Sequence, residues 1–459
     1  MQKNWNLPKQ VWLIFVALTD FSYCFGQFPE KLKNGLRYEL DSTGRHSITL
    51  NMTAQLWTRY TEHNPGTVVM TQPQNSTTDI SIRRMRFILS GALTDRINFF
   101  VQFGQNNLNY LSARKAGSFF HDITADYAVI KKKLSIGAGL NGWNGPSRFS
   151  NMSVSSTVAL DPPIFQEVTN DTYDQFVRKL GVYAKGKLEK LDYRISVSKP
   201  FIIQTAGNAS GTEPINGYSS FSTLPPHLTY QGYLSYQFFD QESNFSPAIV
   251  GSYLGSKKVF NIGGGFYYQK NGVFHYSNVV ARDTVKQNIV LLSLDAFYDA
   301  PLNRRKGTAI KIYGSFSRYD YGYNFIRVAG ANNPATASAH TSANSDPNRY
   351  FTQFNYGNAY PFLGTGNIVY WQVGYKLKNK LLGDQGTLQP YADFQYANYD
   401  RLSNPMFVYN IGINWLIHGI QSKITFNYKN RPYFIANPSG TITEDRRLGE
   451  CVLQYQVAF

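Results

Sequence analysis

Pairs of basic side chains two residues apart are the groups in this sequence best placed to act together. Arg84 and Arg86 form one pair, and Lys185 and Lys187 form another. In an extended chain residues i and i+2 point to the same side, so each pair places two positive charges on one surface. Arginine stays protonated in proteins. Such a surface attracts anions or pairs with carboxylates.

Sequence signatures of enzymes and cofactor sites fail on inspection. Residues 137–142 match the dinucleotide-binding fingerprint, but the following Trp-Asn-Gly-Pro cannot open the helix that would bind a pyrophosphate. No G-x-S-x-G sequence is present, and the seven histidines lack the paired spacing of a metal site. Residues 131–133 are all lysine, but they lack the docking element of nucleic-acid readers and fit a turn better. We therefore expect no enzyme, no cofactor, no metal site and no nucleic-acid partner.

The segments that carry the charged pairs are predicted to be strands with one apolar and one polar face. Met85, Phe87 and Leu89 alternate with Arg84 and Arg86, so the two sets point in opposite directions. An Arg or Lys at the lipid midplane of a barrel costs about 2–4 kcal/mol, so charges that repeat on one parity must face water. The apolar set then faces lipid. Aromatic residues near the strand ends are expected at the membrane interfaces: Trp57, Tyr60, Tyr319, Trp371 and Trp415.

Period-2 segments of this kind number sixteen, and short and long connections alternate between them. The predicted strands are about 47–60, 80–93, 97–104, 121–130, 134–140, 180–187, 191–199, 228–239, 258–269, 287–299, 308–319, 367–378, 387–399, 406–417, 421–429 and 448–459. The predicted long loops are 61–79, 105–120, 141–178, 200–227, 270–286, 320–366 and 429–447. A barrel whose two ends lie on one side needs an even number of crossings, so residues 246–255 are assigned to an extended periplasmic connection. The predicted fold is all-β: a 16-stranded antiparallel transmembrane barrel with a water-filled lumen.

Both chain ends favour an exported barrel. Lys3 and Lys9 precede a short apolar run, and Gly26 ends an acceptable cleavage site. An amphipathic first helix is the alternative, but nothing after Gln27 continues a helical period. We expect residues 1–26 to be a signal peptide, residues 27–46 a periplasmic segment and residues 47–459 the barrel. The last strand ends on Phe459, and it must pair with an earlier strand.

The composition fits such a barrel and excludes other classes of protein. Aromatic residues make up 15% and charged residues 16%, which is too aromatic for a disordered chain. The mean hydropathy of −0.33 excludes a bundle of transmembrane helices, whereas a barrel exposes only alternate residues to lipid. Removal of residues 1–26 changes the net charge from +16 to +15 and leaves Cys451 as the one cysteine, so no intrachain disulfide can form. A secreted β-sandwich is the alternative, and the chain length and terminal strand oppose it.

The sequence resembles the phosphate-selective porins O and P, in the form found in Bacteroidota, over nearly all of the mature length. The order and spacing of several segments carry this resemblance. They are residues 83–86 (Arg-Arg-Met-Arg) with Gly91, 178–182 (Arg-Lys-Leu-Gly-Val), 251–255 (Gly-Ser-Tyr-Leu-Gly), 261–266 (Asn-Ile-Gly-Gly-Gly-Phe), 412–417 (Gly-Ile-Asn-Trp-Leu-Ile) and 423–425 (Lys-Ile-Thr).

The resemblance implies a trimeric outer-membrane channel of sixteen strands, with the third long loop folded inward to narrow the pore. Residues 141–178 are the matching loop. Phosphate-selective members present clustered Arg and Lys at this constriction, whereas residues 141–177 here offer one arginine and four acids. The predicted constriction residues are Arg148, Asp161, Glu167, Asp171 and Asp174. The resemblance therefore implies the architecture and leaves the phosphate preference open.

Strand parity predicts which charged side chains line the lumen. The predicted pore-lining residues are Arg84, Arg86, Asp122, Asp126, Lys185, Lys187, Arg194, Asp295, Lys311, Lys376, Asp393 and Lys423, with Asp192 and Glu450 on the same face. Bases outnumber acids slightly, so we expect a modest anion preference. If acids of the inward loop face Arg84 and Arg86, a transverse field crosses the narrowest point and orients dipolar solutes. The alternative is that these arginines pair with Asp122 and Asp126.

These observations predict an outer-membrane porin of a Gram-negative bacterium, for passive diffusion of small hydrophilic or anionic solutes, with phosphate as a candidate. The expected partners are outer-membrane lipid, two further copies in a homotrimer and the barrel-assembly machinery, which would engage the strand ending in Phe459. The alternative is a surface-binding or adhesive barrel without channel activity, favoured by the long loops 200–227 and 320–366. Those loops lack strong apolar anchors, so we expect a solvated rim.

Overall fold

Sixteen antiparallel strands form the wall of the protein. The computed structural model describes residues 35–459 except 144, 170, 204–217, 279–282, 341–345 and 347. The predicted signal peptide lies outside the described residues. The wall strands are β1 (Ser47–Glu62), β2 (Ser76–Ala92), β3 (Ile97–Leu108), β4 (Phe119–Ile130), β5 (Leu134–Asn141), β6 (Lys179–Leu188), β7 (Leu191–Lys199), β8 (Thr229–Gln237), β9 (Val259–Asn278), β10 (Asp283–Asn303), β11 (Thr308–Asp320), β12 (Gly366–Lys376), β13 (Thr387–Tyr399), β14 (Met406–Leu416), β15 (Ser422–Ala436) and β16 (Ile442–Ala458).

The last strand closes the barrel against the first. β16 pairs antiparallel with β1 from Thr53 opposite Ala458 to Thr61 opposite Glu450. Beyond the strand, the backbone N–H groups of Met52 and Phe459 each donate to the other residue's carbonyl at 3.0 Å. Closure leaves no unpaired edge in the wall, which satisfies its backbone without water. The predicted 16-stranded antiparallel barrel is confirmed.

Side chains alternate between an apolar outer face and a polar inner face. On β6, Leu180 is 52% exposed, whereas Lys185 on the opposite parity is 4% exposed. Two of the predicted interface aromatics break the expectation, because Trp57 and Tyr319 sit on the inward parity and are buried. Trp57 donates its indole N–H to Gln454 Oε1 at 2.8 Å, so it packs inside the wall instead of at the lipid interface. The prediction for these two residues was wrong because position near a strand end does not fix the face.

Two predicted long loops are mostly strand. β9 and β10 extend until only residues 279–282 separate them, and β15 and β16 are separated by residues 437–441. Residues 246–255 form no strand, as expected, and belong to a connection of residues 238–258 between β8 and β9. We call that segment the inserted connection. We call residues 142–178 loop L3 and residues 321–365 loop L6.

Several short elements lie outside the sixteen wall strands. The short strand Leu36–Glu39 pairs with the start of β1. Other short strands are Thr67–Val69, Gln72–Pro73, Ser220–Phe221, Ile326–Ala329, Ala337–Ser338 and Tyr360–Gly364. Among the described residues, an α-helix spans Arg349–Phe354, and 3₁₀ turns span Arg148–Asn151, Val154–Ser156, Ile164–Gln166 and Gly383–Gln385. Among the residues described, no helix is long and apolar enough to cross a membrane.

An aromatic cluster fills part of the lumen. Phe149 and Phe165 of L3 pack with Tyr313 of β11, and Phe325 and Phe362 of L6 join them, all with no exposed surface. The expectation of a lumen filled only by water is therefore wrong for this side of the barrel. L6 is also not a solvated rim, since its strands Ile326–Ala329 and Tyr360–Gly364 pair and pack inward. Its apolar residues are interspersed with polar ones in the sequence, so the composition of the loop did not indicate that it packs inside the barrel.

Candidate functional site

Loop L3 crosses the lumen, and side chains from several strands of the barrel wall form hydrogen bonds with it. On one side Gln55 of β1, Lys423 of β15 and Asn414 of β14 donate to its carbonyls at Val154, Thr157 and Val158, at 3.1, 2.7 and 2.8 Å. On the other side, the backbone N–H of Arg148 donates to Asp295 of β10 at 2.8 Å. The third long loop therefore folds inward, and side chains from distant strands hold it there.

The inserted connection meets L3 from the end of the barrel where the connections are short. Arg148 donates from Nη1 to Oε2 and from Nη2 to Oε1 of Glu242, both at 2.7 Å. Met152 of L3 forms a parallel bridge with Ile249, and the N–H of Gly251 donates to Ser156 Oγ at 2.8 Å. L3 is thus held between the wall and a second segment inside the barrel.

A cavity of about 360 Å³ remains open beside L3. The strands β2–β4 line one side of it and β12–β15 another, while L3, the inserted connection and L6 complete it. Nine charged residues line the cavity: Arg83, Arg84, Arg86, Asp122, Asp161, Glu167, Arg178, Asp393 and Lys429. Five are basic and four acidic, which leaves a slight excess of positive charge.

Arginines from the wall contact an acid of L3 in the lining of this cavity. Arg84 Nη1 lies 2.6 Å from Asp161 Oδ1, and Arg83 Nε lies 3.3 Å from Asp161 Oδ2. The alternative pairing is not seen, because Asp122 pairs with Arg178 at 3.1 Å and Asp126 with Lys185 at 2.9 Å. Arg84 therefore has the acidic L3 partner that the sequence suggested. The contact is direct, so at this point the charges neutralise each other and do not face each other across water.

A β-bulge explains why Arg83 joins this cluster. On β2, Arg84 opposes Gln55 and Ile82 opposes Leu56, so Arg83 is an extra residue with no partner on β1. A bulge reverses the alternation locally, and here it turns Arg83 and Arg84 to the same side. Arg83 also lies over the ring of Trp57, with 5.3 Å between the guanidinium carbon and the ring centroid. Strict alternation placed Arg83 on the lipid side, so sequence analysis missed it as a cavity residue.

Burial and neighbouring charges together set the pKa values of the L3 acids. Burial alone would raise the pKa of Asp161, but the attraction of Arg83 and Arg84 outweighs it and holds the pKa below its usual range. Burial raises the pKa of Glu167 despite the same arginines. Burial and the neighbouring Asp174 raise the pKa of Asp171 to about 6. Asp161 therefore keeps its charge as the pH falls, while Glu167 loses it earlier than an ordinary glutamate.

All twelve predicted pore-lining residues lie on the inward parity, but only Arg84, Arg86, Asp122 and Asp393 line the cavity. L3 covers Asp295, Lys311 and Lys423, which support it instead of facing open space.

Other predicted pore-lining residues lie under the inserted connection. Lys185 and Arg194 donate to its carbonyls. The remaining charges beside them form ion pairs: Asp126 with Lys185, and Asp192 with Lys187 and Arg194. Lys376 bonds to the β10–β11 turn.

Of the predicted constriction residues, Asp161 and Glu167 line the cavity. Arg148 is fully buried against Glu242, and Asp174 is buried beside Lys179 with 3.8 Å between charged atoms. Asp171 lies near Asp174, away from the cavity lining. Arg178 and Lys429 are cavity residues that parity did not select, because Arg178 precedes its strand and Lys429 was placed at a strand end.

Solved structures with the same architecture are known. No protein-family model matches the chain, and no curated protein matches it. OprB of Pseudomonas putida has a TM-score of 0.50 and 10% identity, covering 90% of this chain and 94% of that one. OmpF of Salmonella typhi has a TM-score of 0.50 and 10% identity, covering 91% and 99%. The barrel has the porin fold. At this identity the likeness is one of fold, so the cavity must be interpreted from this chain's own residues.

Proposed function

We propose that this protein is an outer-membrane porin through which small hydrophilic solutes diffuse passively, with a modest preference for anions. The observation that carries the proposal is the cavity beside L3, inside a closed barrel, with five basic and four acidic side chains in its lining. Lumen diameter and lining charge set selectivity in such channels. The apolar outer face supports residence in a bilayer, because every second residue of a strand in a transmembrane barrel contacts lipid.

The proposal includes the location and assembly of the protein. Short turns face the periplasm and long loops face outward in bacterial barrels, so the inserted connection enters from the periplasm. A signal peptide of residues 1–26 would bring the chain there, and the strand ending in Phe459 would engage the barrel-assembly machinery. A homotrimer and membership of the phosphate-selective porins O and P remain part of this proposal, supported by the sequence resemblance. Phosphate itself is one candidate solute.

A planar-bilayer measurement on the purified mature protein tests the proposal. We expect a stable single-channel conductance in KCl and a reversal potential that indicates chloride preference over potassium. The double substitution Arg84→Ala with Arg86→Ala removes two cavity cations and should lower the anion preference. Closure in three equal steps would support a trimer. A cation-selective pore would contradict the anion preference.

One observation favours the alternative of a surface-binding barrel without channel activity. L3, L6 and the inserted connection all occupy the lumen, and an aromatic cluster seals one side of it. The conductance measurement separates the two functions. A correctly folded protein that carries no current, and that admits no solute into liposomes, would rule out the channel and leave the binding function.

A further inference from the structure

Two charges in the cavity lack the counter-charge that their neighbours have. Asp161 pairs with Arg83 and Arg84, and Asp122 pairs with Arg178. Lys429 lies 3.9 Å from Glu450, which is buried just outside the cavity. Glu167 interacts with the same arginines that hold Asp161. Arg86 and Asp393 are the two charged residues of the cavity that have no such ion pair among the described residues.

Arg86 is a buried cation solvated by neutral oxygen atoms. It is 5% exposed, and its guanidinium donates to the carbonyls of Met85 at 2.9 Å and Gln105 at 2.7 Å, and to the side chain of Asn106. Within the described part of the chain, no carboxylate lies within 4.0 Å of it. Asp122 acts on it only over a longer distance. A buried charge without an opposite charge is costly, so this site favours an anionic group from a ligand.

Asp393 is the complementary case on another strand. It is 6% exposed, and Asn410 donates to its Oδ1 at 2.8 Å. Its Oδ2 is buried and accepts no hydrogen bond from any described residue. Over the same described residues no Lys, Arg or His nitrogen lies within 4.0 Å, and Lys429 and Lys311 act on it only at longer range. A free acceptor of this kind favours an ammonium group from a ligand.

The two sites face one cavity from separate parts of the wall. Arg86 lies on β2 and Asp393 on β13, and counting through β1, β16, β15 and β14 separates them by five strand intervals. At ~4.8 Å per interval this is roughly 24 Å along the wall, and less across the lumen between side chains that project inward. The ammonium and carboxylate of a single amino acid are too close together to reach both. An extended chain spans ~3.5 Å per residue, so the path along the wall sets an upper limit of about seven residues, and a peptide of about three to five residues suits the shorter path across the lumen.

We propose that the cavity takes short zwitterionic peptides, with the free carboxylate at Arg86 and the free amino group at Asp393. This inference rests on the proposed channel function and names its substrate class. The slight excess of positive charge elsewhere in the lining still gives small ions an anion preference. A peptide gains more, because it supplies both missing counter-charges at once.

Liposome swelling with four forms of tetra-alanine tests the inference: both termini free, N-acetylated, C-amidated, and blocked at both ends. We expect the free peptide to enter wild-type liposomes fastest. The doubly blocked peptide should enter about fivefold more slowly, because it can form neither ion pair with the protein. Arg86→Gln should abolish the difference between the free and C-amidated peptides. Asp393→Asn should abolish the difference between the free and N-acetylated peptides.

Matched controls remove a charge elsewhere in the barrel. Arg304→Gln and Asp384→Asn alter exposed residues in the turns after β10 and β12, and both should keep the wild-type order of rates. Heat-modifiable gel migration checks that each variant folds. Arg86→Lys and Asp393→Glu keep the charges and should keep the preference. Block of wild-type current by free and doubly blocked peptide gives the same comparison without any substitution.

The outcomes separate this inference from the channel function. If KCl current flows and all four peptides enter at the same rate, the peptide inference is wrong and the porin stands. If only the free carboxylate matters and Asp393→Asn changes nothing, the cavity takes simple anions and the two-ended site is wrong. If neither current nor swelling is seen with any solute, the channel function fails, and this inference fails with it.

Discussion

Arg148 and Glu242 form a bidentate ion pair that joins loop L3 to the inserted connection, with two N–O distances of 2.7 Å. Both side chains are almost fully buried, and Tyr253 donates to the same carboxylate at 2.8 Å. Arg148 also lies over the ring of Phe297, with 3.6 Å between the guanidinium carbon and the ring centroid. The attraction of Arg148 outweighs burial and lowers the pKa of Glu242, so the pair stays charged. The position of L3 therefore depends on a segment at the short-turn end of the barrel.

Breaking this pair should free L3. Glu242→Gln leaves the Arg148 guanidinium buried without its counter-charge, which costs about 3–5 kcal/mol. We expect a larger and noisier single-channel conductance and a lower melting temperature. Glu189→Gln, in the exposed turn between β6 and β7, is the control and should conduct like wild type. The double variant Arg148→Met with Glu242→Leu should recover much of the stability. A steady wild-type current from Glu242→Gln would mean that the pair does not position L3.

Arg83→Ala tests the role of the β-bulge in selectivity. The substitution removes one of five cavity cations and leaves Asp161 less neutralised. The ratio of chloride to potassium permeability should fall by up to about fivefold, the effect of a unit charge ~4 Å from a hydrated ion. Reversal potentials in a KCl gradient measure this ratio. Arg304→Ala removes a distant exposed charge and should leave the ratio unchanged. If Arg83→Ala leaves it unchanged as well, Arg83 does not face the ion path.

Anion preference should rise as the pH falls, because of Glu167. Burial raises the pKa of Glu167 above its ordinary value of 4.5, so its proton binds at a higher pH than on an exposed glutamate. Protonation removes a negative charge from the cavity, whereas Asp161 stays ionised because its pKa is lowered. Reversal potentials at pH 7, 6 and 5 should shift progressively toward chloride selectivity. Glu167→Gln should be more anion-selective than wild type at pH 7 and should shift less between pH 7 and pH 5. A wild-type profile that is flat over this range would contradict the assignment.

Arg431 fixes loop L6 over the barrel mouth. It is fully buried, donates to the carbonyls of Gly357 at 3.1 Å and Ala359 at 3.3 Å, and bonds Asn64 at 2.5 Å. A hydrogen bond to a charged group is worth about 1.5–3 kcal/mol, so Arg431→Met should release L6. We expect a fluctuating current and faster proteolysis within residues 321–365. Arg446→Met, at an exposed position on β16, is the control. Unchanged protease resistance would show that L6 has other sufficient anchors.

Deletion of Phe459 should impair barrel closure. Its backbone makes two hydrogen bonds with Met52, each worth about 0.5–1.5 kcal/mol. We expect a lower heat-modifiable folded fraction in outer-membrane extracts from the deletion variant. Phe459→Ala keeps the backbone bonds and removes only the ring. A defect in both variants would implicate recognition of the ring by the assembly machinery, and a defect in the deletion alone would implicate closure. Wild-type yield from both would remove any role for the terminal residue.

Much of the wall could be predicted from the sequence. The strand count, the antiparallel order and the inward parity of residues such as Arg84 and Lys185 follow from a period of two. That period is a local property, because each residue's face depends only on its distance from its neighbours in the strand. The inward fold of the third loop came from the resemblance and not from its composition. The extents of β9, β10, β15 and β16 were underestimated, since polar residues on both faces weakened the signal beyond the apolar band.

The contents of the lumen depended on tertiary structure. Alternation could not place Arg83, because the bulge that turns it inward involves pairing with β1. Nor could it distinguish Arg86, which lines the cavity, from Lys311, which L3 covers. Arg148 and Glu242 are 94 residues apart in the chain, and nothing in either segment encodes their meeting. The sequence by itself determined a closed wall with a wet inner face. Only the packing of L3, L6 and the inserted connection decided which inner residues a solute could touch, because contacts between distant segments set burial.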